Sequence, residues 1–226
     1  MEASLDMENY FDDLSKKTGI AYGVAKNARV KGLDPVEDVE IPLAQNMAER
    51  VEGLISVVAP QIIGKGIANR IMELEKKFGK LNWRVAFSIA LDVAEEKFCK
   101  FKDRKEAIEV GIRVGFAYVT SGVVSSPLEG FLSIEIKKTR NGEDYFSLNY
   151  AGPVRSAGGT AAAVSVLLAD FLRVKLGFSK YDATEEEVRR AVTELYDYHE
   201  RVTNLQYLPS EEEIDFFVRN IPVQID

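Results

Sequence analysis

"YAGPVRSAGGTAAAVSVLLADFLRVKLGF", residues 150–178, is the stretch on which the fold turns. Alternating apolar residues run up to Tyr150, and three glycines and a proline follow within nine residues. A small-residue run then opens a long helix, with Val164, Leu167, Leu168, Phe171 and Leu172 on one side and few polar residues before Asp170, so it reads as mostly buried. The glycine turn has two uses open to it. It is a cradle of bare amides for an anion, or a place where helix and sheet come close.

Upstream, "FLSIEIKK" alternates Leu132, Ile134 and Ile136 with polar residues, and "YFSLNY" does the same with Phe146, Leu148 and Tyr150. Asn141-Gly142 between them tolerates positive φ, which predicts a β-hairpin. Downstream, Thr184 with Glu187 reads as a capping box, with the stripe Val188, Ala191, Val192, Leu195, His199 and Val202 behind it. A short helix is predicted from Ser210, and "NIPVQID" reads as extended and breaks off, as a piece of a longer protein would. Strand, strand, helix, helix predicts a small α+β domain over 123–226.

Residues 1–122 read as a helical domain. Ala44, Met47, Ala48, Val51, Leu54 and Ile55 form one stripe; Trp83, Phe87, Ala90, Leu91, Ala94 and Phe98 form another. Pro42 suits a first helical turn, Asp103 with Glu106 reads as a capping box, and the helix behind it is expected to end near Tyr118. "KGLDP" at 31–35 is a helix stop, through positive φ at Gly32 and the effect of Pro35 on Asp34. Ser, Gly and Pro cluster in "TSGVVSSPLEG", residues 120–130, which marks the boundary after residue 122. The fold class expected is therefore α+β.

The net charge of −7 argues against a chain that wraps nucleic acid with its whole surface. Between Gly130 and Lys180, however, seven basic residues stand against four acidic ones, which favours a polyanion on this half. One cysteine, Cys99, makes no internal disulfide and fits a reducing, cytoplasmic setting. No apolar run reaches the roughly 18 residues of a membrane span, and the acidic start is unlike a signal peptide.

The glycine turn fails the known phosphate and nucleophile patterns. Gly152 and Gly158 enclose five residues and no Lys follows Gly159, so there is no Walker loop; G-x-G-x-x-G and G-x-S-x-G are absent as well. What remains is a helix start with unpaired N–H groups, glycines at 158 and 159, and the fork of Arg155. With one histidine, His199, and one cysteine, a zinc site is excluded, and the acidic runs at 185–187 and 211–213 are explained by helix first turns. No catalytic or metal-binding residue is expected in this chain.

The string "AGPVRSAGGTAAAVSVLLADFLR", with "KGLDP", "EIPLAQNMAERVEGLI" and "YLPSEEEI" in the same order, resembles the start of the large subunit of archaeal family-D DNA polymerase over roughly residues 10–226. The resemblance implies the N-terminal region of a replicative DNA-directed DNA polymerase, whose catalytic carboxylates and zinc modules lie further downstream. It implies magnesium and zinc for the full-length enzyme and no cofactor here. The implied partners are DNA, a small exonuclease subunit and a sliding clamp. It further implies that the α+β module is KH-like, and KH modules grip nucleic-acid backbone with a glycine-containing loop. Carried over, the DNA-binding candidates are Arg155, Ser156, Gly158, Gly159 and Thr160, with Lys137, Lys138 and Arg140 as helpers. One departure is that these glycines follow a strand and do not join two helices. The alternative is an assembly module without DNA contact.

Overall fold

The computed structural model describes residues 4–33, 44–122 and 124–226. Asp34, Pro35 and Pro42, singled out above, lie outside the described residues. The chain forms two compact units, Met1–Leu43 and Ala44–Asp226.

The first unit holds helix α1 (Leu5–Val30), capped at its start by Ser4 and with no buried residue. Its end is set by local chemistry. Gly32, at φ 66°, donates to the Arg29 carbonyl, and Leu33 donates to that of Ala28, which satisfies two carbonyls of the last turn.

In the second unit, α2 (Met47–Ser56) begins at the Asn46 cap, whose side chain accepts from the Glu49 amide at 2.9 Å. It is followed by α3 (Ile67–Phe78), α4 (Trp83–Ala94) and α5 (Arg104–Val119). Asp103 caps α5, but the Glu106 carboxylate reaches past the cap to the Lys102 amide, so the box predicted there is only half formed.

Helix α5 is the centre of the core, buried continuously from Ile108 to Tyr118 apart from the half-buried Glu109. It lies close against α4 because Gly111 and Gly115 have no side chains: a Cβ on Gly111 would stand 2.6 Å from the Ala90 carbonyl oxygen. This decides which face of α4 points inward. The stripe expected through Trp83 and Phe87 is displaced: Val85, Ala86, Ile89 and Val93 are fully buried with Ala90, while Trp83 is 46% exposed. Phe87 and Leu91 sit at the core's margin, Phe87 edge-on to Phe171. In a helix that is apolar nearly all round, periodicity cannot choose a face, and close approach of backbones does.

The sheet consists of β1 (Phe131–Lys138), β2 (Asp144–Tyr150) and β3 (Gln224–Ile225) in that order, β1 antiparallel and β3 parallel to β2. In the hairpin loop Gly142 alone takes positive φ, at 82°, and Asn141 does not. Between β2 and β3 come α6 (Gly159–Leu176), α7 (Glu185–Arg201) and α8 (Glu211–Asn220). Both α7 and α8 start with complete capping boxes, at Thr184/Glu187 and Ser210/Glu213. The fold is α+β.

Helix α7 is less buried than its apolar stripe suggested. Val188 alone of that stripe is fully buried, and Val202 is 63% exposed. His199 is half-buried and its Nδ1 accepts from the Leu205 amide at 3.0 Å, closing the chain after the helix.

The boundary expected after residue 122 falls inside the second compact unit. One apolar cluster joins Ile112 and Phe116 of α5 to Phe131 and Ile134 of β1 and Leu168 of α6. The Ser/Gly/Pro segment turns the chain without parting the core. Buried Arg113 holds that turn: its Nη1 donates to the carbonyls of Pro127, Leu128 and Phe131, and its Nη2 to that of Leu132.

Candidate nucleic-acid interface

The glycine turn is a three-ten helix, Gly152–Ala157, between β2 and α6. Its lower edge is tied to the core. Tyr150, whose phenol is pushed up to about 12 by burial, shares a hydrogen bond with Ser165 of α6 at 2.7 Å. Ser126, fully buried, shares one with Ser156 at 2.7 Å, and the Pro153 carbonyl, 3.0 Å from the Ser126 hydroxyl and 2.9 Å from that of Ser156, accepts from the hydroxyl that does not donate to the other.

Close approach of backbones does occur here, but at a glycine outside the turn. A Cβ on Gly130 would lie 2.5 Å from the Val154 nitrogen and 2.6 Å from its Cα. At Gly152, Gly158 and Gly159 an added Cβ would meet nothing within 4 Å. The glycines of the turn therefore border open space.

Gly158, at φ 77° and ψ 156°, precedes α6 in a conformation that side chains disfavour, and its amide is bonded to the Arg155 carbonyl. No side chain caps α6, and Gly158, Gly159 and Thr160 are exposed. The first-turn amides after Gly158 thus carry the partial positive charge of the helix start toward an open surface. Arg155, exposed, lays its guanidinium over the Tyr198 ring of α7 at 4.8 Å, which leaves its N–H edge for an acceptor.

Of the predicted residues, the structure brings together Arg155, Gly158, Gly159 and Thr160, with Ser156 turned into the hydrogen bonds of the loop. It does not bring Lys137, Lys138 and Arg140 to them. The register pairs Phe131 with Tyr150 and Lys138 with Asp144, so the glycine turn and those cations occupy opposite ends of the hairpin, about 20 Å apart at 3.3 Å per residue. Each of the three is also held by acid: Lys137 by Asp226 at 2.8 Å, Lys138 by Asp144 at 2.7 Å, and Arg140 by Asp182. Tyr198 and Ser126 shape the turn and were missed in the sequence. Neither carries a local signal, for each acts from about thirty or more residues away.

Elsewhere, Cys99 is half-buried and burial pushes its thiol pKa up, away from thiolate chemistry. No group of three or more metal-ligating side chains gathers among the described residues. No helix among them is long and apolar enough to cross a membrane.

Comparison with known proteins places the molecule in a family. The family described as "DNA polymerase II large subunit DP2, N-terminal" matches residues 9–226. A DNA polymerase II large subunit of Nanoarchaeum equitans is 48% identical over 217 residues, which cover 96% of this chain and 18% of the relative. That of Methanosarcina barkeri is 44% identical over 99% of this chain and 19% of its own length. That of Pyrococcus abyssi is 43% identical over 100% and 15% respectively. The chain thus spans less than a fifth of the length of these relatives, and it belongs to the family of the N-terminal region of the DNA polymerase II large subunit.

Proposed function

We propose that this chain is the non-catalytic N-terminal region of the large subunit of a replicative DNA-directed DNA polymerase, and that its glycine turn touches the DNA backbone. The family match over residues 9–226 carries the first part. The open, uncapped start of α6 beside Arg155 supports the second. In this reading the chemistry belongs to other parts of the large subunit, with magnesium and zinc held there. The small exonuclease subunit and the sliding clamp are partners of the whole assembly in this reading, and the compartment is the cytoplasm.

One helix start contributes only about 0.3–1 kcal/mol at an exposed site, so binding by this region alone is weak and sensitive to salt. Fluorescence anisotropy with labelled duplex tests it. Arg155→Glu is expected to weaken low-salt binding roughly tenfold, the worth of one charge-assisted hydrogen bond. Lys138→Gln, at the far end of the hairpin and already paired, is expected to leave it unchanged. Equal binding by Arg155→Glu and the unaltered chain overturns the backbone contact.

A second reading, an assembly module without DNA contact, is favoured by the exposed apolar residues Leu167, Phe216 and Phe217. Absence of duplex binding at low salt would leave that reading standing.

A further inference from the structure

A groove of about 630 Å³ lies against α6, α8 and β3. Leu167 of α6, Phe216 and Phe217 of α8 and Ile225 of β3 line it, and they are 50%, 70%, 59% and 45% exposed. Asp170 and Asn220 are its only charged or amide-bearing lining residues; Asp170 pairs with Arg173, and the Asn220 amide donates to the Phe216 carbonyl. No Lys or Arg lines the groove to hold a phosphate. The surface suits apolar side chains of a polypeptide.

The direction of β3 indicates which polypeptide. Asp226 donates to the Leu148 carbonyl at 2.8 Å and accepts from the Tyr150 amide at 2.9 Å, so the parallel ladder is advancing along β2 toward Tyr150. Gln224 and Asp226 share the face that bonds Lys137, while Ile225 points the other way, into the groove. By strand alternation, the next side chain of Ile225's parity on a continuing strand enters the same groove beside Tyr150 and Val154, which also line it. The relatives extend far beyond the matched part, which is their N-terminal region, so in those relatives most of the polypeptide follows it.

We infer that the groove is filled by the polypeptide that follows residue 226 in the full-length large subunit, which lengthens β3 along β2 and lays apolar side chains against α6 and α8. This rests on the family membership and not on the DNA contact proposed above.

Carbene footprinting read by mass spectrometry at Leu167, Phe216 and Phe217 tests it, on the 1–226 chain and on the full-length large subunit alone. Labelling in the large subunit is expected to fall about fivefold, as half-exposed side chains become core-like. Leu167→Glu is expected to restore labelling of Phe216 in the large subunit and to leave it unchanged in 1–226. The inference is overturned if labelling is equal in the two lengths. It is equally overturned if protection appears only on adding the small subunit or DNA, only with rising protein concentration, or only while residues 4–33 are present.

Discussion

Gly130→Ala is expected to be among the most damaging single-methyl changes in this chain, and Gly159→Ala to be harmless, although Gly159 stands in the more conspicuous glycine run. The new Cβ at residue 130 would lie 2.5 Å from the Val154 nitrogen and 2.6 Å from its Cα, inside any real contact distance. Gly130 has no positive φ, so the whole cost is steric. Both sides of the clash are backbone, anchored by the Ala151 amide on the Gly130 carbonyl at 2.8 Å and by the Ser126 and Ser156 hydroxyl pair on the Pro153 carbonyl. Overpacking costs typically 1–3 kcal/mol, and a site that cannot yield falls at the upper end, about 3 kcal/mol. For a unit of this size, 1 kcal/mol moves the melting temperature by about 2–4 °C, so a drop of roughly 6–12 °C is expected. At Gly159 nothing lies within 4 Å, and loss of glycine's unfolded-state freedom stabilises by about 0.4–1 kcal/mol, a rise of roughly 1–4 °C. Gly158→Ala has the same open space but φ 77°, which costs about 1–3 kcal/mol. Thermal melts followed by circular dichroism read all three. Equal melting of Gly130→Ala and Gly159→Ala would refute the assignment of close approach to residue 130 and openness to residue 159.

Arg113→Met removes four donated hydrogen bonds from a buried turn, and with each orphaned carbonyl costing about 1–3 kcal/mol, a loss of about 3 kcal/mol or more is expected in urea unfolding. A loss below about 1 kcal/mol would mean that water or a rearranged turn replaces those bonds. Asp226 is partly buried, which alone would raise its pKa, but hydrogen bonds from Lys137 and Ser147 and the charges of Lys137 and Arg190 hold it below the ordinary carboxylate value. Its contribution is therefore present above the ordinary Asp range and lost as pH falls through the lowered folded-state value. Asp226→Asn is expected to flatten the acid limb of the stability profile, and superimposable profiles for the two proteins would count against this anchoring of β3.

Much of this molecule was legible from residues three or four apart. The capping box at Thr184, the helix stop at Gly32, the strand alternation on either side of Gly142 and the opening of α6 after the glycines all depend on hydrogen bonds and φ preferences that close locally. Sequence determined these because the competing conformations differ within a single turn of chain. The tertiary structure alone decided the inward face of α4, since Gly111 and Gly115 of another helix set it. It also decided the third strand, whose parallel partner lies far back in the chain. Of the basic residues that looked alike in sequence, Lys137 and Arg140 meet Asp226 and Asp182, while Arg155 meets the Tyr198 ring. A glycine's neighbours and a cation's partner are matters of distance in space. No spacing along the chain could separate the glycine that touches backbone, Gly130, from those that border solvent.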